Sequence, residues 1–193
     1  LQPETLFSDV IKRYLNEITP TKRGEKHEFN RLTKFLRHPI TDKYISDVTR
    51  QDLELWIKER LETVKGESVR RELSTIGHIF KVALERWGYM QSSPMVGLQQ
   101  PKASKPRTQR FTQEDIDEIV KVSGYNENLK TAKARTGAAL LFAIETAMRA
   151  GEICGLTWDN VNLDKRTAYL PMTKNGSSRT VPLSKNAVRI LER

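Results

Sequence analysis

The sequence predicts a mainly α-helical protein of two parts, with one small antiparallel β-hairpin near its end. Apolar residues recur at helical spacing in four segments of the first 98 residues. Further along, the period changes, and two short β-prone runs, RTAYLPM and RTVPL, flank the sequence TKNGSS. Asn175-Gly176 is a strong hairpin signal, because both positions of a two-residue turn must accept positive φ.

Residues 1–98 are predicted to form a bundle of four amphipathic helices. Thr49 is a suitable N-cap for the third helix, with Asp52 in its first turn. Pro39 stops the second. The apolar stripes are interpreted as core rather than as a ligand site. The predicted core positions are Leu6, Val10, Ile11, Tyr14 and Leu15; Phe29, Leu32, Phe35 and Leu36; Leu53, Trp56, Ile57 and Leu61; and Val69, Leu73, Ile76, Ile79, Phe80, Ala83 and Leu84.

The segment 99–110, QQPKASKPRTQR, predicts a linker between the two parts. It has two prolines, no large apolar residue and no periodicity. It also has no acidic residue, so four of the nine net positive charges of the chain lie in it, on Lys102, Lys105, Arg107 and Arg110. An ordinary solvated linker and one that follows a DNA backbone both fit this composition. We therefore expect a helical domain over 1–98, a basic linker over 99–110 and a second domain over 111–193.

The second part is predicted to begin with a helix over 113–123, for which Thr112 is the N-cap, and to continue with a helix over about 130–147. Ser184 is predicted to cap a last helix, and the helical pattern still runs at Arg193, which indicates a fragment. The segment 145–158 is predicted as mostly buried helix. Its apolar residues are Ala147, Met148, Ile153, Cys154 and Leu156.

The composition excludes several classes of protein. No apolar run reaches the length of a membrane span, and the first residues do not resemble a signal peptide. One cysteine cannot form an internal disulfide, and three histidines with one cysteine show no metal-ligand spacing. We expect no cofactor, no metal, no membrane partner and a cytoplasmic, DNA-associated location. The net charge of +9 favours a nucleic-acid partner.

Arg149 lies in the middle of the apolar segment 145–158 and permits two interpretations. It can form an ion pair with Glu145 or Glu152, and such helical pairs contribute only about 0.2–0.5 kcal/mol. Alternatively, its planar, permanently charged guanidinium can bind two oxygens of a phosphate. The residues after it favour the second interpretation.

The stretch TAMRAGEICGLTWDNVNLDKRTAYLPMTKNGSSRTVPLS resembles the first catalytic box and following β-hairpin of the tyrosine recombinase (phage integrase) family. FTQEDIDEIV resembles the start of that family's catalytic domain, and VRRELSTIGHIFKVALERWGYMQSSPM resembles the end of its helical core-binding domain. The resemblance covers nearly the whole chain. It implies a four-helix SAM-like core-binding domain followed by a truncated α+β catalytic domain.

The resemblance also implies roles for three residues. Arg149 corresponds to a clamp on the scissile phosphate, Glu152 to its supporting acid, and Lys174 to the general acid at the hairpin tip. A guanidinium stabilises charge that grows on the phosphoryl group, and a lysine can protonate the departing oxygen. These roles require no metal.

Two family features do not occur in the chain. The second box, H-x-x-R, would follow the hairpin, but all three histidines lie before residue 79. No tyrosine follows the hairpin, so none is assigned as nucleophile, and Tyr169 is expected in a packed sheet position. We therefore expect this chain to be inactive alone. Many phage integrases also have an N-terminal arm-binding domain.

The implied function is site-specific DNA recombination, that is, phage or mobile-element integration and excision through a phosphotyrosine intermediate. The implied partners are double-stranded recombination sites, further copies in a tetramer on DNA, and host DNA-bending and directionality factors. Two alternatives are a DNA-binding module without catalysis and a type IB topoisomerase-like enzyme. Besides the linker cations, candidate DNA contacts are Arg70, Arg71 and Arg179, although Arg70 and Arg71 could form a polar helix face and Arg179 could pair with Asp164.

Overall fold

The structure, a computed structural model, describes residues 4–103, 108, 110–125, 129–173 and 176–193. The chain divides into two compact units, Leu1–Arg107 and Thr108–Arg193. This division falls inside the segment 99–110, while the domain limits at 98 and 111 stay predictions. Among the described residues, no helix has both the length and the apolar character needed to cross a bilayer.

The first unit is a four-helix bundle, as predicted. Its helices are α1 (Phe7–Glu17), α2 (Glu25–Phe35), α3 (Arg50–Thr63) and α4 (Gly66–Glu85). The core is aromatic at its centre, where the rings of Phe7 and Phe80 stack with centroids 4.9 Å apart. Phe35 meets Phe7 and Trp56 edge-on. Such aromatic pairs stabilise a core beyond their buried area alone.

Three predicted core positions of the first unit are wrong, because Leu6, Phe29 and Leu61 are exposed. Leu6 precedes α1 as its N-cap residue, so it lies on no helical face. Phe29 lies in the first half of α2, whereas the buried residues of that helix are in its second half. Leu61 follows the buried stretch of α3, which ends at Ile57.

Side-chain caps fix the start of three helices where the sequence predicted them. Thr49 and Asp52 form a reciprocal capping box at α3. Thr112 and Asp115 form another at α5 (Gln113–Ser123) in the second unit. The Ser184 hydroxyl accepts from the Ala187 backbone at α8 (Lys185–Leu191). Each cap satisfies a backbone N–H that has no partner within the helix.

The second unit combines helices with a small antiparallel sheet. After α5 come α6 (Ala132–Thr146) and the short α7 (Ala150–Cys154). The strands β1 (Val161–Asn162), β2 (Thr167–Leu170) and β3 (Arg179–Pro182) then pair in the order β1-β2-β3, followed by α8. The buried face of the sheet packs with Phe142 and Met148 in one core. β1 was not predicted, because two residues show no alternation.

The β2–β3 connection differs from the predicted two-residue turn centred on Asn175-Gly176. The Gly176 backbone N–H donates to the Thr173 carbonyl over 2.9 Å, and Thr173 N–H donates to the Ser177 carbonyl. Gly176 therefore closes the turn instead of occupying its centre, and its φ of +85° explains the glycine. Lys174, predicted at the hairpin tip, and Asn175 lie outside the described residues.

Candidate functional site

The predicted buried helix over 145–158 is interrupted directly before Arg149. α6 ends at Thr146, and Ala147 adopts the left-handed conformation with φ of +52°. This conformation costs a residue with a Cβ roughly 1–2 kcal/mol. Met148 then packs into the core, and Arg149 has extended backbone as the N-cap residue of α7. As a result the Arg149 side chain is 56% exposed.

Cys154, also predicted in the buried helix, is exposed. It lies at the last position of α7, a helix with no buried residue. Met148 is buried in the core, and Ile153 and Leu156 pack against that core while partly exposed.

Glu152 holds Arg149 by two hydrogen bonds. Its Oε2 accepts from the Arg149 backbone N–H over 2.9 Å, and its Oε1 accepts from Arg149 Nη1 over 3.0 Å. The Glu152 side chain is only 8% exposed. The backbone hydrogen bond from Arg149 is the main cause that lowers the pKa of Glu152, and the two guanidinium groups beside it act in the same direction. Glu152 is therefore a carboxylate at neutral pH.

The third hydrogen bond to this carboxylate comes from Arg179 at the start of β3. Arg179 Nη2 donates to Glu152 Oε2 over 2.8 Å, so Arg179 pairs with Glu152 and the suggested pairing with Asp164 is wrong. Glu145 does not pair with Arg149 either, because the break at Ala147 ends their shared helix. The Glu145 carboxylate instead accepts from Ser184 Oγ and from Asn186 Nδ2.

This arrangement leaves Arg149 able to bind an anion. Within the described parts of the chain, its Nε and Nη2 have no hydrogen-bond partner, and the side chain is more than half exposed. One carboxylate between two guanidinium groups leaves a net charge of +1 at the site. The site therefore favours an anion that presents two acceptor oxygens to the planar guanidinium, such as a phosphate.

The predicted DNA contacts are placed differently from one another. Arg70 is half-buried, and its Nη1 donates to the Pro101 carbonyl over 3.1 Å, so it fastens the start of the segment 99–110 to α4. Arg71, Lys102 and Arg110 are exposed. Lys105 and Arg107 lie outside the described residues.

A basic cleft between α2, α3 and α4 was missed. Three basic residues at intervals of three line this cleft. Arg31 and Lys34 lie in α2, and Arg37 lies just after its end. Arg31 donates to Thr75 Oγ1, whereas Lys34 and Arg37 are exposed. The regular three-residue spacing of these basic residues is the sequence signal from which this surface could have been predicted.

Tyr169 is not in a packed position, contrary to expectation. Tyr169 lies in β2 between the buried residues Ala168 and Leu170, and Tyr169 itself is 45% exposed. In a strand, successive side chains point to opposite faces, so the neighbours' burial places Tyr169 on the open face. Arg179 pairs with Leu170 in the register and therefore lies on the other face from Tyr169.

Comparison with known proteins identifies the second unit most directly. Residues 109–193 match the model of the phage integrase family. A putative integrase/recombinase of Haemophilus influenzae is 77% identical over all 193 residues, which are 64% of its own length. The shufflon-specific DNA recombinase of Escherichia coli is 32% identical over 96% of the chain and 49% of its own length. The chain thus spans less than two thirds of these relatives.

Solved structures support the fold of both units. A lambda integrase tetramer bound to a Holliday junction matches 97% of the chain and 55% of the integrase chain, with a TM-score of 0.78 and 17% identity. At this identity the match concerns the fold alone, a helical unit followed by a unit of helices and a small antiparallel sheet. The family match, the 77% identical relative and the shared fold agree with the arginine box, and residues 109–193 therefore belong to the phage integrase family.

Proposed function

We propose that this chain is the DNA-binding and phosphate-binding part of a site-specific DNA recombinase that acts through a phosphotyrosine intermediate. The observation that carries the proposal is the exposed Arg149 guanidinium, which the largely buried Glu152 carboxylate holds. Among the described residues, Arg149 Nε and Nη2 have no hydrogen-bond partner. The relatives named as recombinases support the same function.

In the proposed reaction, a tyrosine oxygen from outside residues 1–193 attacks phosphorus, and the bond from phosphorus to the 5′ oxygen breaks. Negative charge grows on the non-bridging oxygens, and Arg149 stabilises it through paired hydrogen bonds. The departing 5′ oxygen takes a proton from Lys174. Rejoining reverses these steps with a 5′ hydroxyl of another strand. Glu152 acts through Arg149 and does not contact the phosphate.

Double-stranded DNA is the proposed partner of both units. In the first unit, Arg71 and Lys102 are exposed cations that can neutralise phosphates. Arg110 is an exposed cation of the second unit and can do so too. Lys105 and Arg107 are proposed to act with them, so that the segment 99–110 follows the backbone. We also propose a tetramer on DNA, since the lambda integrase match is a tetramer on a Holliday junction. Host DNA-bending and directionality factors are proposed as further partners.

A covalent-trapping experiment tests the proposal. Residues 1–193 are joined to the parts of the 77% identical relative that lie outside the matched region, and the chimera is given a nicked substrate that releases a short oligonucleotide on cleavage. We expect a covalent protein–DNA adduct on denaturing electrophoresis. The chain of 193 residues, tested beside it, should bind duplex DNA and form no adduct, because positioning a nucleophile supplies much of the rate.

Each outcome has a definite meaning. DNA binding by a chimera that forms no adduct would favour the DNA-binding module without catalysis. An adduct formed by the 193-residue chain itself would contradict the assignment of the nucleophile to another segment, and Tyr169→Phe would then show whether this exposed tyrosine is responsible. Relaxation of supercoils without strand exchange would favour the topoisomerase-like alternative.

A further inference from the structure

One carboxylate joins two parts of the second unit that are distant in sequence. Glu152 Oε2 accepts both the Arg149 backbone N–H and Arg179 Nη2, over 2.9 and 2.8 Å, while Oε1 accepts Arg149 Nη1 over 3.0 Å. With 8% of its side chain exposed, Glu152 has little contact with water. Its orientation is therefore set by these two arginines, one beside it on α7 and one on β3.

The position of Arg179 in the sheet is firmly determined. It is the first residue of β3 and pairs with Leu170 of β2. Paired residues lie on the same face, and both Leu170 and Val181, two residues after Arg179, are buried. The Arg179 side chain therefore leaves the strand on the core-facing side of the sheet, and 41% of it is exposed. From there its guanidinium reaches Glu152, so strand β3 supports the carboxylate.

The charges at this cluster depend on Arg179. With both arginines present, one negative charge is shared by two positive charges, and a net positive charge remains for an anion. Without Arg179, Arg149 and Glu152 would form a closed pair with no net charge. The Glu152 carboxylate would then compete with a phosphate for the Arg149 guanidinium.

We propose that Arg179 is a positioning residue of the phosphate-binding site of the protein. It acts through Glu152 to keep the Arg149 guanidinium oriented and available to the scissile phosphate. This inference rests on the proposed function. It differs from a direct DNA contact by Arg179, because the residue on which Arg179 acts is Glu152.

A double-mutant cycle in the chimera separates the two roles. Arg179→Gln should reduce the cleavage rate by up to about 100-fold, since small misplacements of a reacting group have effects of this size. Arg179→Lys keeps the charge and should restore part of the rate. In the Arg179→Gln background, Glu152→Gln should cause no further loss or a partial recovery, because the amide no longer draws Arg149 into a closed pair. Independent, multiplying losses would overturn the proposal.

DNA affinity provides a readout that distinguishes positioning from contact. Arg179→Gln should change the slope of log affinity against log salt by less than about half a unit. Removal of a phosphate contact should reduce that slope by about one unit. Arg189→Gln is the matched control, since Arg189 is an exposed arginine of α8 in the same unit. It should leave cleavage unchanged. A reduced slope for Arg179→Gln with normal single-turnover cleavage would show a DNA contact and overturn the inference.

A measurement on the 193-residue chain keeps this inference separate from the proposed function. If the unmodified chimera forms no adduct, the proposed function fails, but the nitrogen resonance of Arg149 Nε still reports its environment. Arg179→Gln should shift and broaden this resonance, and Arg189→Gln should not. An Arg149 signal that is identical in all three chains, with equal melting temperatures, would overturn the positioning role.

Discussion

At the scale of single residues, Arg149 and Glu152 form a unit whose parts have different tasks. Arg149 provides an exposed guanidinium, and Glu152 provides a largely buried carboxylate that fixes it. The pairing by itself resembles an ordinary ion pair three residues apart. The difference lies in the break at Ala147, which turns the guanidinium outward, and in Arg179, which keeps the cluster positive.

The Arg149→Lys variant tests the guanidinium itself. Lysine keeps the charge but has no planar fork, so it loses paired recognition of two phosphate oxygens. We expect the chimera to fold and bind DNA normally while cleavage falls roughly 10²–10³-fold, as for removal of a transition-state donor. Single-turnover cleavage measured beside DNA affinity is the test. Cleavage near that of the unmodified protein would contradict the role of Arg149 as phosphate clamp.

The lowered pKa of Glu152 predicts a dependence of stability on pH. A carboxyl group whose pKa is lower in the folded state stabilises the fold at pH values above its ordinary pKa of 4.5. That contribution is lost as the pH falls through the lowered folded-state value. Urea unfolding of the 193-residue chain between about pH 2.5 and about pH 7 should show this acid loss, and Glu152→Gln should reduce it. Equal pH profiles for both proteins would contradict the role of the ionised carboxylate.

At the scale of secondary structure, local signals were sufficient for most helices and insufficient at the site. The caps at Thr49, Thr112 and Ser184 join a side chain to the backbone three residues further on, so the sequence predicted them. The break at Ala147 has no such signal, because left-handed backbone is usually marked by glycine and this position holds alanine. The Arg179–Glu152 pair joins residues 27 positions apart, and only the folded sheet brings them together.

Gly137 in the interior of α6 is predicted to tolerate no side chain. A Cβ there would lie 2.2 Å from Ser123 Oγ and 2.8 Å from Ser123 Cβ, at the end of α5. Helix propensity alone favours alanine by about 1 kcal/mol, but the overlap should outweigh it and give a net loss of about 1–3 kcal/mol. Urea unfolding measures the difference. The matched control is Gly151→Ala in α7, where a Cβ meets nothing within 4 Å. A stabilised Gly137→Ala protein would contradict the close α5–α6 approach.

At the scale of the whole molecule, positive charge is spread over both units and is concentrated in the segment 99–110. The twelve residues of this segment carry four basic residues and no acid. The cleft along α2 adds Lys34 and Arg37, which were not predicted because the sequence of α2 also contains acids in its first turn. Two surfaces can therefore contribute to DNA affinity, and the salt dependence of binding can separate them.

Replacing Lys102, Lys105, Arg107 and Arg110 by alanine should flatten the plot of log affinity against log salt by up to about four units, roughly 0.9 unit for each phosphate that is no longer neutralised. The fall in affinity should be similar for unrelated duplexes, because phosphates carry no sequence information. Lys34→Ala with Arg37→Ala should reduce the slope by up to about two units if the cleft also faces DNA. The measurement is fluorescence anisotropy of the 193-residue chain with a labelled duplex, over a salt range of about 50 to about 300 mM. An unchanged slope in the fourfold variant would remove the segment 99–110 from the interface and leave the charge of the two folded units as the source of the affinity.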